Sequence, residues 1–166
     1  MQAPEESTHG YDVTDPSTIN PELGGLEGLR SLAEKAHAEG IKLLLDIVPN
    51  HVGVDDPQLN TWWWDLLKKG KDSEYAEYFD VDWSEDNGAD GRLGLPVLGS
   101  EEDVAELRIE QGDGTDGDGE GAEPMLCYYD NCFPIAEGTL GGTPQQVHDR
   151  QHYRLMFLSL IHISEP

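Results

Sequence analysis

The sequence predicts an α/β fold built on parallel strands, interrupted by an irregular α+β insertion. Three observations predict it. A helix, a tight glycine turn and an apolar run follow one another between Leu26 and Val48. Beyond His51 the chain changes to short strand-like runs separated by Gly and Asp. Its 166 residues suffice for one ordinary domain but fall short of the roughly 250 of a complete α/β barrel.

The first twenty residues, rich in Pro, Ser, Thr and Asp, read as a loop. Leu26, Leu29, Leu32, Ala33 and Ala36 then recur at helical spacing, with Glu27, Arg30, Glu34 and Lys35 on the polar side. Gly40 is placed to stop this helix in a left-handed conformation. Ile41 to Val48 is almost continuously apolar and is closed by Pro49 and Asn50, the pattern of a parallel strand buried on both faces.

From His51 to about residue 150 the pattern is that of an excursion grown from a loop. Trp62 to Leu67 predicts a short helix, and Ser73 is placed to cap another containing Tyr75 and Tyr78. Strands are expected at Phe79–Trp83, Arg92–Leu98, Val104–Ile109 and Met125–Ile135. Residues 111–123, QGDGTDGDGEGAE, have nothing to bury and read as a mobile acidic loop. They lack the ligand register of a calcium loop, which ends in a bidentate Glu. Cys127 and Cys132 are five apart, so on one strand they would face opposite ways. That argues against a local disulfide, and two cysteines alone make no zinc site.

Ten basic residues against 34 acidic ones give a formal charge of −24. Such a surface repels phosphate backbones and anionic lipid, so neither nucleic acid nor membrane is expected as a partner. The acidity fits a solvated face, or a high-salt or acid-tolerant host. No run approaches the roughly 18 apolar residues of a membrane span, and the start MQAPEESTHG carries no signal region. A reducing cytoplasm is the simplest compartment.

Asp46 is the most informative position. On a strand it shares a face with Leu44 and Val48, near the C-terminal end where α/β folds place ligand groups. A carboxylate inside an apolar run must be paired or must reach a polar site. It reads either as a site residue or as a cap for the following loop, and Asn50 and His51 just beyond favour the site. His9, Gly10, Tyr11 and Asp12 form a second cluster, with a ring face and hydrogen-bonding groups suited to a sugar; in isolation they would read as an ordinary turn. Trp62, Trp63 and Trp64 diverge by about 100° per residue on a helix. Two can pack while one reaches solvent or ligand, and packing is the commoner use of tryptophan. With 34 acids, carboxylate pairs arise by chance and their spacing carries no weight.

STHGYDVTDPSTINPELGG followed by GLRSLAEKAHAEGIKLLLDIVPNHVGV resembles the second-to-third strand region of the α-amylase superfamily of glycoside hydrolases. DIVPNH, Asp46 to His51, matches that superfamily's Asp-x-x-x-Asn-His signature at the end of the third barrel strand. Within the superfamily the sequence is most similar to the maltooligosyl trehalose synthases, by the Trp62–Trp64 triplet with DLLKKGKDSEYAEYFDVDW, then GRLGLPVLG, YYDNCFPIAEGT and RQHYRL. The resemblance covers residues 7 to 155 apart from the acidic loop. Residues 156–166 depart from it and are assigned no role.

The resemblance implies a partial (β/α)8 TIM barrel, about one strand and one helix of it, with an irregular α+β insertion after barrel strand 3. Residues 1–51 would be barrel segment, 52–150 the insertion, and 151–166 a return to the barrel plus the departing tail. It implies that His9 and Tyr11 line the sugar subsite where cleavage occurs, that Asp46 holds its geometry and that His51 hydrogen-bonds a sugar hydroxyl. Asn50 stays structural, and no metal or cofactor is implied. The family reaction moves a maltooligosaccharide's reducing-end α-1,4 bond to an α,α-1,1 bond, in the manner of a retaining glycosidase that uses the departing glucose as acceptor. The family's substrate is a maltooligosaccharide, but its nucleophile and acid lie on later strands, so the chain alone is expected to be inactive, unstable and of little affinity for it. A hydrolytic amylase-type fragment and a non-catalytic maltooligosaccharide-binding module are the alternatives.

Overall fold

The computed structural model describes residues 2–4, 7–112 and 123–157. The acidic segment from 113 to 122 and the tail from 158 lie outside the described residues. The chain divides into two units, Met1–Thr61 and Trp62–Pro166. No helix among the described residues is long and apolar enough to cross a membrane.

In the first unit the entry loop is held by a bridge between Gln2 and Asp15, with Gln2 donating its N–H to the Asp15 carbonyl at 3.0 Å. Asn20 caps a short 3-10 turn, Pro21–Leu23, by accepting from the Glu22 N–H at 2.9 Å. The predicted helix follows as α1, Gly25–Ala38. Its end is a Schellman motif. Gly40 at φ +75° donates to the His37 carbonyl at 3.0 Å, and Ile41 donates to Ala36 at 2.8 Å. Gly40 therefore stops the helix as its position predicts.

The segment after it differs from expectation. Ile41 to Val48 forms no strand, and Leu44 is 99% exposed. A parallel strand exists through hydrogen bonds to neighbouring strands on both sides, and among the described residues this segment pairs with no strand. No residue of α1 is buried either. The apolar pattern of both elements is that of surfaces meant to be covered.

The second unit builds its own core. The predicted tryptophan helix is α2, Thr61–Lys69, whose Leu66 and Leu67 are fully buried. Of the expected strands, Phe79–Trp83 stays irregular and Arg92–Leu98 shortens to β1, Leu93–Leu95. Val104–Ile109 becomes a 3-10 turn, Glu101–Glu106, followed by β2, Arg108–Gln111. Met125–Ile135 is not one strand but a hairpin of β3, Pro124–Tyr128, and β4, Asn131–Pro134. Helix α3, Pro144–His148, starts on a capping box between Thr143 and Gln146, and β5, Tyr153–Leu155, closes the unit.

β2, β3 and β4 form an antiparallel sheet, while β1 and β5 pair in parallel with Leu93 opposite Tyr153. Tyr153 is fully buried and its hydroxyl donates to the Pro134 carbonyl at 2.9 Å. Burial pushes its phenol well above the ordinary range. Gln151 is 2% exposed and fully satisfied, accepting from the Ala136 N–H and donating to Val147 and Thr139.

The hairpin overturns the expectation for the cysteines. The chain reverses at Tyr129 and Asp130, so Cys127 and Cys132 become directly opposed partners with Cα atoms 4.1 Å apart, joined as a disulfide. The argument from opposite faces holds only for a single continuous strand.

Candidate functional site

The candidate site residues His9, Tyr11, Asp46 and His51 fall in the first unit, on the loop before α1 and on the segment after it. Helix α1 and its glycine stop reverse the chain between them. Tyr11 donates its phenolic hydrogen to Asp46 Oδ2 at 3.0 Å, across 35 positions of sequence. Asp46 is therefore not a carboxylate buried in a strand. It is exposed, and it is met by a group from the other cluster.

The 7–12 loop organises itself around Tyr11. Ser7 donates to Asp12 and accepts from the Gly10 N–H at 2.9 Å. His9 Nδ1 accepts from the Tyr11 N–H at 3.1 Å, and the two rings stack with centroids 6.0 Å apart. An acceptor at Nδ1 leaves the proton of a neutral His9 on Nε2, facing away from this contact. The Asp46 carboxylate, as acceptor and as charge, holds the Tyr11 phenol above its ordinary value. The Ser7 hydroxyl is the main reason the Asp12 carboxyl sits below its own. Together these give an exposed imidazole, a phenol and a carboxylate that can exchange hydrogen bonds with a polyol.

His51 and Asn50 are exposed, and the structure does not bring His51 into hydrogen-bond contact with Tyr11 or Asp46. The chain just past them is pinned under the loop. Gly53 donates to the Val13 carbonyl at 2.8 Å, and a Cβ on Gly53 would meet the Asp12 carbonyl oxygen at 2.6 Å. Buried Asn60 donates to the Gly53 carbonyl at 3.1 Å. Sequence reasoning missed Ser7, Gly53 and Asn60. A glycine between two valines in HVGV is the one local signal that backbone approaches closely there.

A cleft of about 640 Å³ opens in this unit, lined by Asp12, Thr14, Gly53, Asp55, Asp56 and Leu59 among others. Its lining includes Asp12 but not His9, Tyr11, Asp46 or His51. The hydrogen-bonded cluster, not the cleft, is the better guide to chemistry, because only the cluster joins independent functional groups. In the second unit, donor atoms of Glu110, Cys127 and Cys132 lie within 4.8 Å of one another. The disulfide occupies both sulfurs, which leaves one carboxylate and no metal-binding set there.

The chain is similar to several known proteins. A family model described as the α-amylase catalytic domain matches residues 1–101. Curated relatives from two strains of Mycobacterium tuberculosis, under the maltooligosyl trehalose synthase name, are 53% identical over 150 residues, 90% of this chain. The chain spans only 18% of their length. A cyclomaltodextrinase of Thermoanaerobacter pseudethanolicus is 41% identical, but over 45% of the chain and 12% of its own length. The solved structure of maltooligosyltrehalose synthase from Arthrobacter ramosus superposes with a TM-score of 0.78 at 51% identity, covering 95% of this chain and 19% of its own.

Proposed function

Because the chain belongs to the α-amylase family, we propose that it is a segment of a (1→4)-α-D-glucan 1-α-D-glucosylmutase, an enzyme of trehalose biosynthesis. The observation that carries this reading is the reach of the similarity. It runs over 90% of the chain at 53% identity, well past the 101 residues matched by the amylase model, whereas likeness to the cyclomaltodextrinase covers 45%.

In this reading the segment contributes substrate contacts and not the bond-breaking carboxylates. His9 and Tyr11 border the subsite where the reducing-end glucose is released, Asp46 fixes the Tyr11 phenol, and His51 binds a sugar hydroxyl. The hydrogen bond from Tyr11 to Asp46 supports this, since it leaves the phenol oxygen's lone pairs free to accept from a sugar hydroxyl. Residues 52–150 form an insertion that helps keep water from the departing glucose, so that it, and not water, accepts the glycosyl group. The ligand is a neutral maltooligosaccharide, and no metal or cofactor takes part. Cytoplasmic residence belongs to the same proposal.

The test is a segment exchange. Residues 7–155 replace the matching stretch of the Arthrobacter ramosus enzyme, and reducing ends are followed with maltopentaose as substrate. Rearrangement consumes reducing ends without releasing glucose; hydrolysis creates them. Loss of reducing ends by the chimaera, weakened by Tyr11→Phe or Asp46→Asn, is the expected result. Net gain of reducing ends would give the chain to a hydrolase.

A further inference from the structure

Three consecutive tryptophans on α2 cannot all face one core, and the structure separates their roles. Trp63 packs against the core of the second unit, 5.1 Å from the Phe79 ring. Trp62, about 100° round the helix, is outside that core. Its ring lies parallel to Tyr75 at 5.8 Å and meets Tyr78 edge-on at 5.4 Å, and the two tyrosines are 5.6 Å apart. Trp62 and Tyr75 are part-exposed and Tyr78 is 63% exposed.

We propose that Trp62, Tyr75 and Tyr78 form a second carbohydrate contact, a platform on which an α-1,4-linked glucan chain stacks. Its ligand class rests on the function proposed above, while its residues are all different from that site's. The rings are held in place before any ligand arrives. Ser73 Oγ donates to Asp65 of α2 at 2.7 Å and accepts from the Tyr75 N–H at 3.1 Å, tying the tyrosine turn to the tryptophan helix. A preformed aromatic surface binds without paying to order its side chains.

Charge selects the kind of ligand. The chain's −24 repels anionic partners. Beside the platform Asp65 pairs with Lys69 at 2.5 Å, and Glu74 adds its charge to the same lysine. The three rings themselves are uncharged, and the two tyrosines carry phenol hydroxyls. A pyranose matches them, with apolar C–H faces to lie on the rings and equatorial hydroxyls to meet the phenols. A purely apolar peptide would leave those hydroxyls without partners.

Affinity electrophoresis of the full chain through gels containing soluble starch tests the platform, with circular dichroism as the folding control. Trp62→Ala and Tyr78→Ala are expected to weaken retardation about tenfold each, the scale of one lost aromatic contact. Tyr78→Phe, which keeps the ring and removes only the hydroxyl, should lose less retardation than Tyr78→Ala does. Unchanged retardation in both Trp62→Ala and Tyr78→Ala would overturn the platform and leave the proposed function standing. A chain not retarded by starch at all, or equal loss in Tyr78→Phe and Tyr78→Ala, would also overturn it. Failure of the segment exchange while the platform variants lose binding would instead remove the proposed function alone.

Discussion

The Tyr11 hydroxyl donates to Asp46 at 3.0 Å, joining a loop residue to one that 35 positions of sequence separate from it. This bond links the two halves of the candidate site, and it has a spectroscopic consequence. The phenol is held above its ordinary value of 10.0, chiefly by the hydrogen bond and then by the carboxylate's charge. Asp46→Asn should therefore lower the Tyr11 titration back towards 10.0. Ultraviolet difference titration of the native chain against Asp46→Asn, with Tyr11→Phe to assign the signal, measures it. An unchanged curve would show that the bond does not persist in solution.

Gly53 supports that loop from beneath. Its missing side chain admits the Asp12 carbonyl, which a Cβ would meet at 2.6 Å. Backbone cannot yield as a flexible side chain does, so Gly53→Ala should destabilise the first unit by about 1–3 kcal/mol. Hydrogen exchange at the Gly53 amide, which donates to Val13 at 2.8 Å, should accelerate accordingly.

His148 makes the second unit sensitive to acid. Its ring is buried, and Nε2 accepts from the Leu155 N–H at 2.9 Å, so the neutral ring must carry its proton on Nδ1. Charging it places a second proton against that N–H and loosens β5. Burial first, then the Arg92 charge, lowers its value from 6.5; Arg154 acts in the same sense and Asp149 in the opposite one. The unfolded chain thus takes up the proton before the folded one. The stability from neutral His148 is fully present above 6.5 and is lost as pH falls from there towards the folded value. Urea midpoints should drop between about pH 7.5 and pH 5.5, and the drop should shrink in His148→Gln, whose amide oxygen can still accept from Leu155.

The Cys127–Cys132 bridge closes a short loop around the Tyr129–Asp130 turn. For so few residues, chain-entropy arguments give about 2 kcal/mol. Reduction by dithiothreitol, or Cys132→Ser, should lower the melting temperature of the second unit by that equivalent without removing the hairpin, whose ladder and buried Leu126 and Phe133 remain. Identical melting with and without reductant would refute this.

Local signals were legible where local physics decides. The spacing of Leu26, Leu29 and Leu32 with Gly40 at the end located α1 and its stop, because helical period and left-handed backbone are properties of a few neighbouring residues. The run Met125 to Ile135 was misread as one strand. The turn carries no glycine, and Tyr129 adopts φ +49° without one, so Asp130 and Asn131 were the only turn-favouring residues to mark it. Ile41 to Val48 shows the converse, with a clear strand pattern and no strand.

By itself the sequence determined the family, helices α1 and α2 and the candidate residues His9, Tyr11, Asp46 and His51, since signature motifs and side-chain periodicity are written along the chain. Only the tertiary structure decided that Tyr11 meets Asp46, that Gly53 lies against Asp12, that Cys127 faces Cys132 and that Trp62 rather than Trp63 lies outside the core. Each of these depends on where distant segments or a turn bring atoms within a few ångströms. That placement is fixed by packing and hydrogen bonding summed over many residues, not by any one stretch of sequence.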